Sequence, residues 1–175
     1  MASVCCMDTE EAIRARRTHK VYEREPVDRA TVEELLELAR WAPNHHLTEP
    51  WRFRVLGPES FERLVEAGGP NEREKLRRAP TLVVACARQT GEAHQDHEDV
   101  LATACAVYIV LLAAHARGLA SYWRTPKLLQ SPGGRAAVGL RDNEEFVALI
   151  HLGGPVASRA AKERKPASEY VEFLP

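Results

Sequence analysis

The chain has 175 residues and a mass of 19.6 kDa, enough for one domain with a proper core. Hydrophobic residues make up 45% and charged residues 28%, which excludes a disordered polyelectrolyte. Lysine plus arginine (24) nearly cancel aspartate plus glutamate (25), so no global field directs the chain to nucleic acid or to an anionic membrane.

The longest apolar run, Ala104 to Ala114, is too short to span a bilayer. Met1 to Thr9 has neither the basic start nor the apolar core of a secretory signal. Cys5 and Cys6 stand near the terminus, while Cys86 and Cys105 lie inside apolar runs and read as buried small hydrophobes. None has zinc-site spacing, so the expectation is free thiols in a reducing, cytoplasmic compartment.

In chain order, the first helix is expected from Asp8 to Arg17, with Asp8 and Glu11 at capping-box spacing. Pro26 prevents its continuation. Asp28 caps a second helix whose Val32, Leu35, Leu36 and Ala39 share one face, with Val27 and Val32 as a hydrophobic staple. Pro43 forces that helix to end. Trp51 to Val55 alternates with period two and predicts a strand with Trp51, Phe53 and Val55 facing inward. Short helices are expected from Pro58 and over Glu72 to Arg78.

Thr81 to Ala87 is a continuous apolar run, as in a central strand buried on both faces. Asp99 to Arg117 predicts the longest helix, apolar nearly all round and closed by Gly118. A strand over Ala120 to Arg124, a small helix opened by Ser131-Pro132 and a strand over Phe146 to Leu152 complete the body. The polar tail ends in Tyr170 to Leu174, expected as a terminal edge strand. The absence of strict βαβ alternation predicts an α+β fold, a mainly antiparallel sheet flanked by helices, in a single domain spanning 1–175. A domain this small cannot easily cover an all-apolar helix, so that helix is expected to be covered by a second copy.

Chemical signatures are sparse. There is no GxGxxG or GxxxxGK[ST] cradle and no G-x-S-x-G elbow. His94-x-x-His97, with Asp96, Glu98 and Asp99, and the His45-His46 pair are the nearest approaches to metal ligation. Carboxylates beside histidines ahead of a helix are usually a solvated N-terminus, and no metal is expected. Two basic clusters say more: Arg16-Arg17-Thr18-His19-Lys20 and Lys162-Glu163-Arg164-Lys165-Pro166. Singly, each reads as a helix end or a solvated tail. Together they offer the separated cations that a phosphate-bearing ligand needs. The loop Ala42-Pro-Asn-His-His-Leu-Thr-Glu-Pro-Trp51 is fixed by two prolines. It reads either as a plain connection or as a ligand-facing loop.

In register, Arg16-Arg17-Thr18-x-Lys20-x-Tyr22, Ala42-Pro43 with Pro50-Trp51-x-Phe53, Trp123-Arg124-Thr125 and Leu152-Gly153-x-Pro155 resemble the FMN-dependent nitroreductase family, in particular its short NAD(P)H-linked members. The resemblance runs from Asp8 to Leu174. It implies a homodimer with a long buried interface helix and two FMN sites between the subunits. Arg16, Arg17, Thr18 and Lys20 match positions that hold the flavin from one subunit. Asn44 and His45 match the loop that reaches it from the other. Trp123, Arg124 and Thr125 match a segment lining the flavin in short members, and Lys162 and Arg164 match a phosphate-gripping Lys-x-Arg-x-Pro pattern of longer relatives. Asn71 and Lys75 resemble a further contact pair at altered spacing and are not carried over.

The implied activity is NAD(P)H-dependent, ping-pong reduction of nitroaromatics, quinones or similar flat acceptors through FMN, with no protein nucleophile. Glu49 stands where the family usually has Gln, and His45-His46 replace smaller residues. The alternatives are an enzyme on the same scaffold with another electrophile, and a non-catalytic FMN-binding redox sensor or partner-binding protein.

Overall fold

The computed structural model describes residues 8–175; Cys5 and Cys6 fall outside the described residues. α1 spans Thr9–Ala15 and is capped by Asp8, whose carboxylate accepts the Glu11 N–H at 2.9 Å. α2, Arg29–Ala39, is capped in the same way by Asp28, which accepts from the N–H and hydroxyl of Thr31. Its Val32, Leu35 and Ala39 are buried. β1 (Trp51–Val55), α3 (Pro58–Ala67), α4 (Pro70–Leu76) and β2 (Thr81–Arg88) follow. The long helix, α5, is Ala93–Ala116, and β3 (Ala120–Arg124), α6 (Pro132–Ala137) and β4 (Glu144–Gly153) complete the set. Pro at the first position of α3, α4 and α6 starts each where a free N–H would be wasted.

The four strands form one antiparallel sheet in the order β1-β2-β4-β3. The central pair, β2 and β4, carries the continuous apolar sequences because both its faces are covered. On one face α2 and α5 pack Leu35, Val107, Val110 and Ala114 against Val83, Ala85 and Ile150. On the other, α3, α4 and α6 bring Leu64, Leu76 and Ala137 onto Val84, Cys86 and Leu149. Each fully buried leucine contributes about 2 kcal/mol of apolar transfer free energy.

The chain between α1 and α2 lies along the outer edge of β3. Thr18 bridges Ser121 in parallel, and the His19 N–H donates to the Ser121 carbonyl at 3.0 Å. Further on, the Glu23 N–H donates to Gly154 O at 2.9 Å. Gly153 permits this closure: a Cβ there would stand 2.9 Å from Pro80 and 3.1 Å from the Cβ of Tyr22. Gly118, at φ +75°, ends α5 with the Leu119 N–H on Ala114 O and its own N–H on His115 O, the paired bonds of a Schellman stop.

Four expectations change. α5 begins at Ala93, with Glu92 accepting the N–H groups of His94 and Gln95, because the polar first turns are held by caps. Its 24 residues are long and apolar enough to cross a membrane by composition; in the fold, its Ala102, Val107, Val110 and Ala114 face protein. Cys105 is exposed, since it shares an outward stripe with Leu101 and Tyr108 at helical spacing. Val55 is 50% exposed because β1 is an edge strand whose last residue borders an open groove. Tyr170 to Leu174 is not a strand: the tail carries only a short 3-10 turn at Ala167–Glu169. The 16–22 segment already occupies the β3 edge, and Arg159 ties the tail's base to Thr18 O.

Candidate functional site

The extended segment after α1 turns successive side chains to opposite sides. Lys20 faces a recess of about 160 Å³ lined also by Lys75, Arg78, Tyr122, Arg124 and His151. Arg17 and His19 instead face a separate cleft of about 720 Å³, bounded by α1, the end of α5 and residues 155–159, where His115 and Arg159 also stand. One basic segment therefore serves two cationic hollows.

In the recess, β3 presents Tyr122 and Arg124, and α4 presents Lys75 on its exposed side. Nη2 of Arg124 donates to both oxygens of the Glu72 carboxylate, at 2.9 and 3.2 Å, and Lys75 reaches the same carboxylate at 3.1 Å. Burial works to raise the Glu72 pKa, but the hydrogen bonds and charges of Arg124 and Lys75 outweigh it and hold the group below the usual carboxylate range. Arg78 is paired with Glu74. Among the described residues Lys20 makes no ion pair, and the buried Nη1 of Arg124 has no hydrogen-bond partner. His151, 2% exposed at the floor, has its pKa lowered to about 3 by burial first and then by Arg124. It is therefore a neutral imidazole. Lysine and arginine only donate, so the lining suits a ligand rich in acceptor oxygens and negative charge.

The second cleft repeats this theme. The His19 pKa is lowered by burial, Arg159, His115 and Arg16; that of His115 is lowered by burial, Arg16 and Arg17. The buried Nε atoms of Arg16 and Arg17 and Nε2 of His115 lack partners.

Other expected site residues lie elsewhere. Trp123 points to the opposite sheet face from Arg124 and packs with the α2–α5 core, while Thr125 is exposed. Asn44 is occupied locally: its Oδ1 accepts the Glu49 N–H at 3.0 Å, and its Nδ2 donates to Ala42 O at 3.2 Å. It thereby holds a strained loop in which His46, Leu47 and Glu49 have φ of 51°, 52° and 42°. His45 is exposed on that loop, which is anchored to α5 through Thr48 Oγ1 to Asp99 at 2.7 Å. Lys162 and Arg164 are exposed on the tail.

Asn44 and His45 precede β1, at the sheet edge opposite Lys20. Three strand spacings, about 14 Å, separate the two edge strands. Along α5 the loop is anchored at Asp99, whereas Arg17 stands by His115. Sixteen residues of helix separate those points, about 24 Å. Within one chain the two sets do not meet.

A concavity of about 840 Å³ lies elsewhere, between α2, α3 and the end of β1. It is walled by Val32, Leu36, Val55 and Phe61, and its Arg29 and Arg77 pair with Glu33 and Glu62. It offers apolar surface rather than chemistry. Asp96 is likewise used locally: it accepts from the N–H and hydroxyl of Thr90 and from the Gly91 N–H.

Sequence reasoning missed Lys75, Arg78, Tyr122 and His151 as recess residues. The strand alternation was the available signal for two of them, since Tyr122 shares a face with Arg124 and pairs with His151. The same alternation shows why consecutive Trp123 and Arg124 cannot both line one recess.

The Nitroreductase family model matches residues 13–68 and 62–154. The chain is 30% identical over 172 residues, 89% of each partner, to "Putative NAD(P)H nitroreductase YfhC" of Bacillus subtilis. Its fold superposes on a nitroreductase-like family protein from Bacillus cereus with a TM-score of 0.85, 24% identity, and 99% and 97% of the two chains covered. A "putative nitroreductase" from Desulfovibrio desulfuricans, solved in complex with FMN, gives a TM-score of 0.77 at 26% identity, covering 100% of this chain and 99% of that one.

Proposed function

Because the chain belongs to the nitroreductase family, we propose that it is an NAD(P)H-dependent FMN oxidoreductase that works as a homodimer, each chain contributing one FMN-binding domain over residues 1–175. The observation that carries this reading is the cation-rich recess, in which Lys20 makes no ion pair among the described residues and leaves positive charge unanswered. The donor set fits the acceptor oxygens of a flavin's pyrimidine edge. At about 160 Å³, the recess seats one end of that ring and not the whole cofactor, as small-ligand pockets run to several hundred Å³. When bound, FMN supplies a two-electron relay between NAD(P)H and a flat acceptor such as a nitroaromatic or quinone, taken in turn at one place.

The protein's part is to bind, orient and bias. Lys20, free of any carboxylate partner, stabilises negative charge that grows on the ring during reduction. His151 stays neutral and so adds no charge of its own to the recess. Arg16, Thr18, Lys162 and Arg164 are assigned to the phosphate end, with Arg17 and Arg159 in the neighbouring cleft adding to the local positive potential. Glu49, on the strained loop, disfavours anionic acceptors. Free Cys86 and Cys105 suit a reducing cytoplasm.

Pairing completes the site. Leu101 (53% exposed), Cys105 and Tyr108 (38%) make an apolar stripe along α5. An isologous, antiparallel apposition of two such stripes brings the Asp99 end of one helix to the His115 end of its mate. That sets Asn44 and His45 of the loop opposite the partner copy's basic segment, as the resemblance implies.

The test begins with the absorbance spectrum of the purified protein and an FMN fluorescence titration. A yellow protein, or stoichiometric uptake of FMN, is expected. A colourless protein that refuses FMN overturns the reading, and a bound flavin that NAD(P)H does not bleach in stopped flow reduces it to a binding protein. Tyr108→Arg should yield monomers by sedimentation together with lost FMN; a stable wild-type monomer that binds FMN fully removes the paired site.

A further inference from the structure

Two cations that line the recess share one carboxylate that cation counting overlooks. Glu72 lies on α4, outside every sequence-derived set, and its two oxygens meet Arg124 at 2.9 and 3.2 Å and Lys75 at 3.1 Å. These two cations come from different elements, β3 and α4. Nothing else in the described structure joins them. The Arg124 side chain is only 9% exposed and that of Glu72 27%, so solvent screens this cluster less than a surface pair.

Arg124 has a second constraint: its Nη1 is buried without a partner, so among the described residues the guanidinium's hydrogen bonds are those of Nη2 to Glu72. Both Glu72 oxygens meet the single nitrogen Nη2, a charge-assisted contact that fixes where that end of the guanidinium sits. We infer that Glu72 is the positioning residue of the cationic recess, holding Arg124 and Lys75 side by side for the ligand while its own charge limits how strongly the recess favours the reduced, anionic state of a flavin. The inference rests on the flavin reading above.

Two consequences separate charge from scaffolding. Glu72→Gln removes one negative charge from beside the ligand while keeping an acceptor for Arg124, so the flavin should become easier to reduce. Glu72→Asp keeps the charge but shortens the reach by one methylene, so it should loosen the cations and weaken FMN binding with little change in potential. A residue needed only for folding would lower affinity in both variants and raise the potential in neither.

The experiment measures FMN affinity and the two-electron midpoint potential of the dimeric holoprotein for wild type, Glu72→Gln and Glu72→Asp, with far-UV circular dichroism as the fold check. Expected for Glu72→Gln is about a tenfold gain in binding of reduced over oxidised FMN, which for a two-electron couple is about 30 mV upward. Expected for Glu72→Asp is about a tenfold weaker affinity.

Lys75→Gln, at a half-exposed position, supplies the arm that must fold even if Glu72→Gln does not. It should shift the potential downward, because it removes a cation and leaves the Glu72 charge less compensated. An unchanged or lowered potential in folded Glu72→Gln overturns the inference, as does an unchanged potential in Lys75→Gln. Failure of wild type to take up FMN would instead overturn the flavin reading itself.

Discussion

Two arginine–glutamate pairs lie on the same face of the sheet, and they differ in what surrounds them. Arg54 on β1 meets Glu144 on β4 at 2.6 and 2.9 Å, and the Arg141 N–H adds a further bond to that carboxylate at 2.9 Å. Glu144 is 3% exposed, no unpaired lysine adjoins it, and Arg135 donates to its backbone carbonyl. Positive and negative groups close on each other. Arg124 and Glu72 use the same contact, one Nη2 on both carboxylate oxygens, yet Lys20, Lys75 and Arg78 stand around Arg124 and its Nη1 is left without a partner. The first pair is a staple across strands; the second underlies the recess proposed as the flavin site. The pair chemistry is shared, and the local charge balance decides which role it plays.

Breaking the closed pair should have the largest effect on folding. Glu144→Gln leaves Arg54 without its counter-charge and should cost about 3 kcal/mol in chemical denaturation, with FMN affinity unchanged. A loss below about 0.5 kcal/mol would show that the pair does no more than a surface bridge.

Acidification sharpens the same contrast. His151 titrates at about 3 in the fold, lowered first by burial, against about 6.5 in the unfolded chain. The unfolded state therefore binds the extra proton, and stability is complete above about pH 6.5 and falls progressively toward pH 3. The Glu144 carboxyl is also held low: burial opposes this, but the Arg54 hydrogen bonds and the Arg141 N–H prevail. Its contribution, present above the unfolded carboxylate pKa, is lost only at more acid pH. His151→Gln should flatten the melting-temperature profile between pH 6.5 and 4, while Glu144→Gln should flatten it below about 4.

On the open pair the effect moves from stability to binding. Lys20→Ala removes an exposed, unpaired cation, so the melting temperature should hold within a degree or two while FMN binds about tenfold more weakly and the flavin potential falls. An unchanged potential would exclude Lys20 from the redox role. The smallest expected effect is that of Arg54→Lys. The ammonium keeps the charge but loses the planar guanidinium, whose second nitrogen lies 4.0 Å from Cys86 Sγ, and the loss should be about 1 kcal/mol.

The elements were legible wherever the signal was local. Asp8 and Asp28 cap the helices they were expected to cap, Gly118 stops α5, and the β2 and β4 sequences declare their two-sided burial. The misjudged positions share a cause. Cys105 and Val55 are apolar residues whose burial depends on which neighbour covers a face, and Tyr170 to Leu174 follows a tail whose nearby β3 edge is already taken by the segment after α1. Lys75 was set aside on spacing, yet α4 delivers it to Lys20 because three-dimensional proximity does not follow loop length.

Local sequence thus set the helices, the strand alternation, the basic segment and the family pattern, all of which depend on near neighbours and short periods. Only the folded chain decided that Lys20, Lys75, Arg78 and Arg124 share a recess, that Trp123 faces away from it, and that Asn44 holds its own loop. Those outcomes depend on strand order and helix packing, and on the balance of charges brought together from distant segments, which no short window of sequence contains.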